Sequence, residues 1–172
     1  MRGNTSGCSP AFNRRRSHWT NGAFALSYLA EASDEERFMH IDGQCHCGFV
    51  TYEAEIDPEH VTICHCTDCQ RLTGTAYRVS TSTPRSSFRL TGGEPKLYVK
   101  TGENGRKRLQ FFCPNCGSPV YTTGTDEDAE EIGIRVGTVN QRRELAPRKQ
   151  IWCSSALPWS GDIGKLPGLP RD

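Results

Sequence analysis

The sequence predicts a mostly β, turn-rich domain braced by metal, and three observations carry that expectation. Glycine and proline, 17 and 10 in 172 residues, cut the chain into short segments that suit strands and turns better than helical bundles. Several of those segments alternate apolar and polar residues, the period of a half-buried strand. Seven of the nine cysteines fall into three tight groups: Cys45-His46-Cys47, Cys64-His65-Cys66-Thr67-Asp68-Cys69 and Cys113-Pro114-Asn115-Cys116.

Seven is an odd number that neither a set of disulfides nor two closed four-ligand sites would use up, whereas a division into four and three does. A Cys-x-Cys pair on an extended strand aims both sulfurs to one face. A Cys-x-x-Cys turn also converges its sulfurs, and tetrahedral zinc with Zn–S bonds of about 2.3 Å accepts both kinds of pair. Disulfide frameworks suit small secreted scaffolds, and no convincing secretion signal is present. The spacings match neither ferredoxin pattern of iron–sulfur ligation.

The length fits one domain plus extras, with a core of ordinary size. A formal net charge of +1, with no apolar run near the ~18 residues that a membrane span needs, predicts a soluble, cytoplasmic protein with no membrane partner. The same near-zero charge argues against nucleic acid as a partner. Oligomeric state is not legible.

In chain order, residues 1–38 differ in character from the rest of the chain and are expected to form a poorly ordered N-terminal extension. No acidic residue occurs before Glu31, and Arg14, Arg15 and Arg16 cluster ahead of an apolar piece from Ala23 to Ala30. That composition suits a transit peptide or, weakly, a secretory signal. The preferred reading is an upstream extension without a functional role, with Met39 as a plausible natural start. Ser33 and Glu36 could cap a short helix, and Cys8 is a bystander.

From Gly43 the period becomes two. Val50, Tyr52, Ala54 and Ile56 alternate with Thr51, Glu53 and Glu55, which puts the first Cys-x-Cys pair at a strand start. Val61 and Ile63 lead into the triple-cysteine stretch, where Thr67 and Asp68 are good helix starters, so Cys69 is expected on a short helical turn. Further strands are expected around Tyr77 and Val79, Phe88 and Leu90, and Leu97 and Val99. Asn104-Gly105 signals a hairpin. Leu109 to Phe112 then lead to the Cys113/Cys116 turn, where Gly117 permits tight backbone. Val120-Tyr121 continue outward, Asp126 to Glu131 read as a solvated loop, and Ile132, Ile134 and Val136 as a last strand. Residues 39–160 form the expected domain. Beyond it, 161–172 read as an irregular, surface-lying tail, a character that begins at Pro158.

Taken together, Gly43-x-Cys45-x-Cys47-Gly48-x-Val50, Cys64-His65-Cys66-x-x-Cys69-x-x-x-Thr73-Gly74 and Phe112-Cys113-x-x-Cys116-Gly117-Ser118 resemble the glutathione-dependent formaldehyde-activating enzyme and centromere protein V family. Pro147-x-x-Gln150-Ile151-Trp152-x-x-Ser155-x-x-x-Trp159 resembles that family's C-terminal signature, so the likeness covers about residues 39 to 160. It implies a mostly antiparallel β "tent" with few short helical turns and two zinc ions per chain. Cys45, Cys47, Cys113 and Cys116 match the family's structural zinc ligands, and Cys64, Cys66 and Cys69 its catalytic zinc. Spacing alone leaves another pairing open, with Cys66-x-x-Cys69 and Cys113-x-x-Cys116 in one ribbon-like site.

A closed four-thiolate site leaves no room for substrate and contributes folding free energy. A three-thiolate site keeps a fourth position for water or an incoming ligand, and its soft donors favour another sulfur. The resemblance implies carbon–sulfur lyase or synthase chemistry on a thiol such as glutathione, giving S-hydroxymethylglutathione from formaldehyde. Two other readings stand beside it: a non-catalytic zinc-stabilised binding module, and a metal buffer or redox sensor. Among lesser candidates, Arg71, Arg78, Arg85 and Arg89 could hold substrate carboxylates. His46 and His65 read as hydrogen-bonding spacers, Tyr77 as core, Arg106-Lys107-Arg108 as a solvated run, Trp152 and Trp159 as packing residues, and Cys153 as a small buried hydrophobe.

Overall fold

A computed structural model of the chain describes residues 37–102, 104–125 and 129–171. The expectations for residues 1–36, including Cys8 and the Ser33 cap, lie outside the described residues, as do residues 126–128 at the start of the acidic run.

The alternation from Val50 to Ile56 builds strand β2 (Thr51–Ile56), which buries Tyr52, Ala54 and Ile56 and turns the glutamates outward. β2 pairs antiparallel with β1 (Met39–Gln44) and with β5 (Phe88–Gly92) to make a three-stranded sheet. The remaining strands are β3 (Thr62–Cys64), β4 (Arg78–Pro84), β6 (Lys96–Thr101), β7 (Lys107–Phe112), β8 (Pro119–Gly124), β9 (Glu131–Arg135) and β10 (Lys149–Ile151). They form a seven-stranded sheet in the order β10-β3-β4-β9-β8-β7-β6. Neither sheet closes, and the mostly β class stands. All pairs are antiparallel except β10 with β3, a parallel pair that brings Ile151 level with Cys64.

The sheets meet through aromatic rings. Tyr52 of β2 lies 5.5 Å from Phe88 of β5, Phe88 lies 4.8 Å from Tyr121 of β8, and Tyr121 stacks on Phe111 of β7 at 4.4 Å. Each such pair is worth about 0.5–1.5 kcal/mol beyond area burial. Around this ladder Ile41, Val50, Ile56, Val61, Val120, Ile134 and Val139 are wholly buried. Gly43 is forced by the same packing, since a Cβ there would sit 2.3 Å from the Tyr52 ring.

Several expectations need correction. The Cys45/Cys47 pair lies in the turn between β1 and β2 rather than on a strand, where a bonded loop from Cys45 N–H to the Val50 carbonyl (3.0 Å) holds it. The tail from Pro158 is not irregular at first: Pro158–Lys165 winds into a 310 helix, for which the fixed φ of Pro158 is well suited at the first position. Trp152 and Trp159 do not pack the domain shut, being 57% and 58% exposed. Cys153 is half-buried and disulfide-bonded, so it is not a packed free thiol. Among the described residues, no helix is long and apolar enough to cross a membrane.

Candidate metal centres and a cationic cleft

Two groups of cysteine sulfurs form, divided four and three. Cys45, Cys47, Cys113 and Cys116 bring their sulfurs within 4.8 Å of one another. Each half is a tight turn closed by a glycine in left-handed backbone, Gly48 (φ 76°) after Cys47 and Gly117 (φ 74°) after Cys116. Matching hydrogen bonds run from Gly48 N–H to the Cys45 carbonyl and from Gly117 N–H to the Cys113 carbonyl, both 3.0 Å. The His46 N–H donates across to Ser118 Oγ at 3.2 Å and clasps the two turns together.

Sulfur separations of 3.6 Å for Cys45 to Cys47 and 3.7 Å for Cys47 to Cys113 decide what this group fits. Four sulfurs ~2.3 Å from one centre stand about 3.8 Å apart, so the group has the dimensions of a tetrahedral zinc site. It ties together residues 66 apart in sequence. The Ser118 hydroxyl, hydrogen-bonded to Cys116 Sγ at 3.3 Å, holds the Cys116 thiol down to about 5 and so favours the thiolate a metal requires.

The second group is Cys64, Cys66 and Cys69, also within 4.8 Å of one another. Cys64 ends β3, Cys66 caps helix α1 (Thr67–Thr73), and Cys69 rides on that helix. Cys66 Sγ accepts the Cys69 N–H at 3.4 Å, an N-cap made by sulfur instead of the usual oxygen. The hydrogen bond with Cys69 draws the Cys64 thiol down, and the same bond together with burial pushes Cys69 up. Burial pushes Cys66 up as well. The helix is anchored by Gln70, whose Nε2 donates to the carbonyls of His65 (2.7 Å) and Ser155 (2.9 Å). His65 is buried, with Nε2 against Gln150 Oε1 at 2.8 Å and its ring edge-on to the half-buried Tyr77. His65 is therefore a strut beside the sulfurs rather than one of the grouped ligands. Neither histidine joins a group.

The trio lies in the walls of two clefts, half-buried at Cys64 and Cys66 and buried at Cys69. Cys64 and Cys69 line a cleft of about 530 Å³, and Cys66 lines an adjoining one of about 590 Å³. Trp152 borders both, in left-handed backbone (φ 59°) that non-glycine residues rarely adopt. Arg78, Lys100, Arg108, Arg135 and Lys149 line the first cleft against Asp68 and Glu131, so its wall is cationic. Lys100 pairs with Asp68 at 2.5 Å. Burial, and then the like charge of Arg78, lower the Arg135 guanidinium to about 9.

Of the four arginines singled out by sequence, Arg78 alone reaches this cleft: Arg71 and Arg85 are exposed elsewhere, and Arg89 pairs with Glu53 at 2.6 Å. Arg108 is half-buried at the cleft rather than solvated with its neighbours. Sequence reasoning missed Arg135, Lys100 and the position of Trp152.

The profile of the family described as glutathione-dependent formaldehyde-activating enzyme matches residues 40–155, which include every grouped cysteine. A crystal structure of a Rhodobacter sphaeroides protein is similar in fold, with a TM-score of 0.52 and 24% identity over 63% of this chain and 98% of that one. No curated protein matches the chain.

Proposed function

Because the chain belongs to the glutathione-dependent formaldehyde-activating enzyme family, we propose that it is a zinc-dependent carbon–sulfur lyase or synthase acting on a thiol adduct, such as S-hydroxymethylglutathione formed from glutathione and formaldehyde. The observation that carries this reading is the three-sulfur group set in the wall of a cleft, together with a separate four-sulfur group whose geometry suits a closed tetrahedron. In this reading Cys45, Cys47, Cys113 and Cys116 hold a structural zinc ion, and Cys64, Cys66 and Cys69 hold a catalytic one with a position left for substrate.

An ion held by the trio would supply a soft centre that favours a thiol in its thiolate form. The chain's own residues do the rest. Cys66 fixes the start of α1 and so sets where Cys69 stands relative to Cys64. The cationic wall favours an anionic thiol compound in the cleft. The overall change balances without redox: the thiol sulfur bonds to the aldehyde carbon, the thiol proton ends on the former carbonyl oxygen, and the reverse releases both parts. A cleft of about 530 Å³ is within the range that holds small-molecule ligands.

The test is exchange between glutathione and ¹³C-formaldehyde monitored by NMR, with the zinc-loaded protein present at catalytic concentration. Exchange faster than the spontaneous rate, abolished by Cys66→Ser, is the expected result. No acceleration over the protein-free rate would remove this reading and favour a zinc-stabilised binding module.

A further inference from the structure

Arg78, which lines the cleft, has a donor pair with no acceptor among the described residues. Arg78 is 7% exposed, and both its Nε and Nη2 are buried without a hydrogen-bond partner among the described residues. Those two atoms form one edge of the guanidinium, with parallel N–H bonds pointing the same way. That fork is the geometry that takes a carboxylate through two hydrogen bonds. Buried N–H donors without an acceptor are costly to keep, which makes the unpaired fork hard to explain by packing alone.

Its neighbours sharpen the point. Arg135, 6% exposed, sits on β9 opposite Ser80, two residues along β4 from Arg78, so both arginines face the same side of the sheet. Arg135 spends Nη1 on Ser80 Oγ (3.0 Å) and Nη2 on Gln110 Oε1 (2.9 Å), while its buried Nε is unpartnered. Both partners are neutral and fix the guanidinium, and the sulfurs of Cys69 and Cys64 lie within its electrostatic reach. The register also pairs Arg78 directly with Cys64 across β4 and β3. Fork and sulfur are therefore cross-strand neighbours in one cleft wall.

We propose that Arg78, backed by Arg135, is a carboxylate-binding residue that positions a carboxylate-bearing thiol beside the sulfurs of Cys64, Cys66 and Cys69. The thiol half of this inference rests on the proposed function; the carboxylate half rests on the fork alone. The resulting specificity is for thiols carrying an acid group over neutral thiols of similar size.

The experiment uses the full zinc-loaded chain and two probes. Propionate, which has no thiol, is titrated while the arginine Nε–H signals are recorded by ¹H–¹⁵N NMR. A saturable shift assigned to Arg78 is expected, and no shift would overturn the carboxylate site without any variant being made. Calorimetry then compares 3-mercaptopropionate with 2-mercaptoethanol. The wild type should prefer the acid at least ~10-fold, as charge-assisted bidentate bonds allow. Arg78→Gln should bring the two within about 2-fold with mercaptoethanol affinity unchanged, and Arg78→Lys should recover part of the preference. A preference that survives in Arg78→Gln overturns the proposal. If propionate shifts the fork but neither thiol binds, the proposed function fails and the anion site stands; if both thiols bind equally with no propionate shift, the reverse holds.

Discussion

The two sulfur groups use the same residue type, yet the elements that carry them and their surroundings differ. The four-sulfur group joins the β1–β2 turn to the β7–β8 turn, with Cys45 and Cys113 wholly buried and a glycine closing each half. The three-sulfur group joins the end of β3 to a helix of seven residues and looks into a cleft rich in arginine and lysine. Four sulfurs match the count of a tetrahedral shell, whereas three leave one position of such a shell for another ligand. The comparison teaches that role is set by the count of donors and by what stands beyond them.

The largest effect that would sharpen this contrast belongs to Cys113→Ser. With zinc as the occupant, the closed site contributes folding free energy, about 10–16 kcal/mol in zinc-finger peptides. The variant should lose cooperative unfolding, or its Tm should fall by on the order of 10 °C or more, in thermal circular dichroism. A Tm within a few degrees of wild type would show that the four-sulfur group is not a staple. Cys66→Ser should do the opposite: one metal ion fewer per molecule by elemental analysis, activity lower by at least ~100-fold, and a Tm change of only a few degrees. Equal loss of stability in both variants would erase the distinction.

A smaller effect separates the two turns. Gly117 (φ 74°) and Gly74 (φ 65°) both sit in left-handed backbone with open space where a Cβ would go, so alanine at either costs conformation alone, about 1–2 kcal/mol. Gly117→Ala should lower Tm. Gly74→Ala should fray α1, whose end it caps through the bond to the Gln70 carbonyl (2.8 Å), and weaken metal retention by the trio more than global stability. Chelator-release kinetics on both variants would check the order.

Acidification gives the gentlest test. The Cys116 thiol lies well below its ordinary 9.0, at about 5, because Ser118 donates to it. A depressed thiol pKa adds stability that is present above the unfolded value and lost as pH falls through the folded one. In the metal-free protein that contribution should therefore fade between about pH 9 and 5. Each group also holds thiols shifted the other way, Cys47 in the four-sulfur group and Cys66 and Cys69 in the trio, so the number of donors sets the order of metal release. As pH is lowered from 7, a zinc-sensitive dye should report release from the three-sulfur group before the four-sulfur group, because the closed shell holds its ion through one more thiolate. Simultaneous release would contradict the ranking.

Much of this was legible in the sequence because the informative signals are local. Period-two alternation gave β2 and β9, Asn104-Gly105 gave the β6–β7 hairpin, and the cysteine count gave the division into four and three. What escaped depends on partners distant in the chain. β1 buries little besides Ile41 and Gly43, and β10 has three exposed residues, so neither carries a pattern of its own. Each becomes a strand because a neighbour offers it an edge. Arg135 reads as one more polar residue after Ile134 until β9 is laid beside β4, which turns it into the wall of a cleft. Trp152 looks like packing by composition, yet the left-handed backbone at the start of a 310 turn presents it to the cleft mouth.

The central claim is that one sulfur group is closed and the other open to a thiol. Substituting cobalt(II) for the bound metal and titrating glutathione while recording the visible absorption bands addresses it directly. The account predicts that the bands of one ion per molecule change saturably while those of the other stay fixed. Bands unaltered at saturating glutathione, or altered equally at both ions, would contradict it.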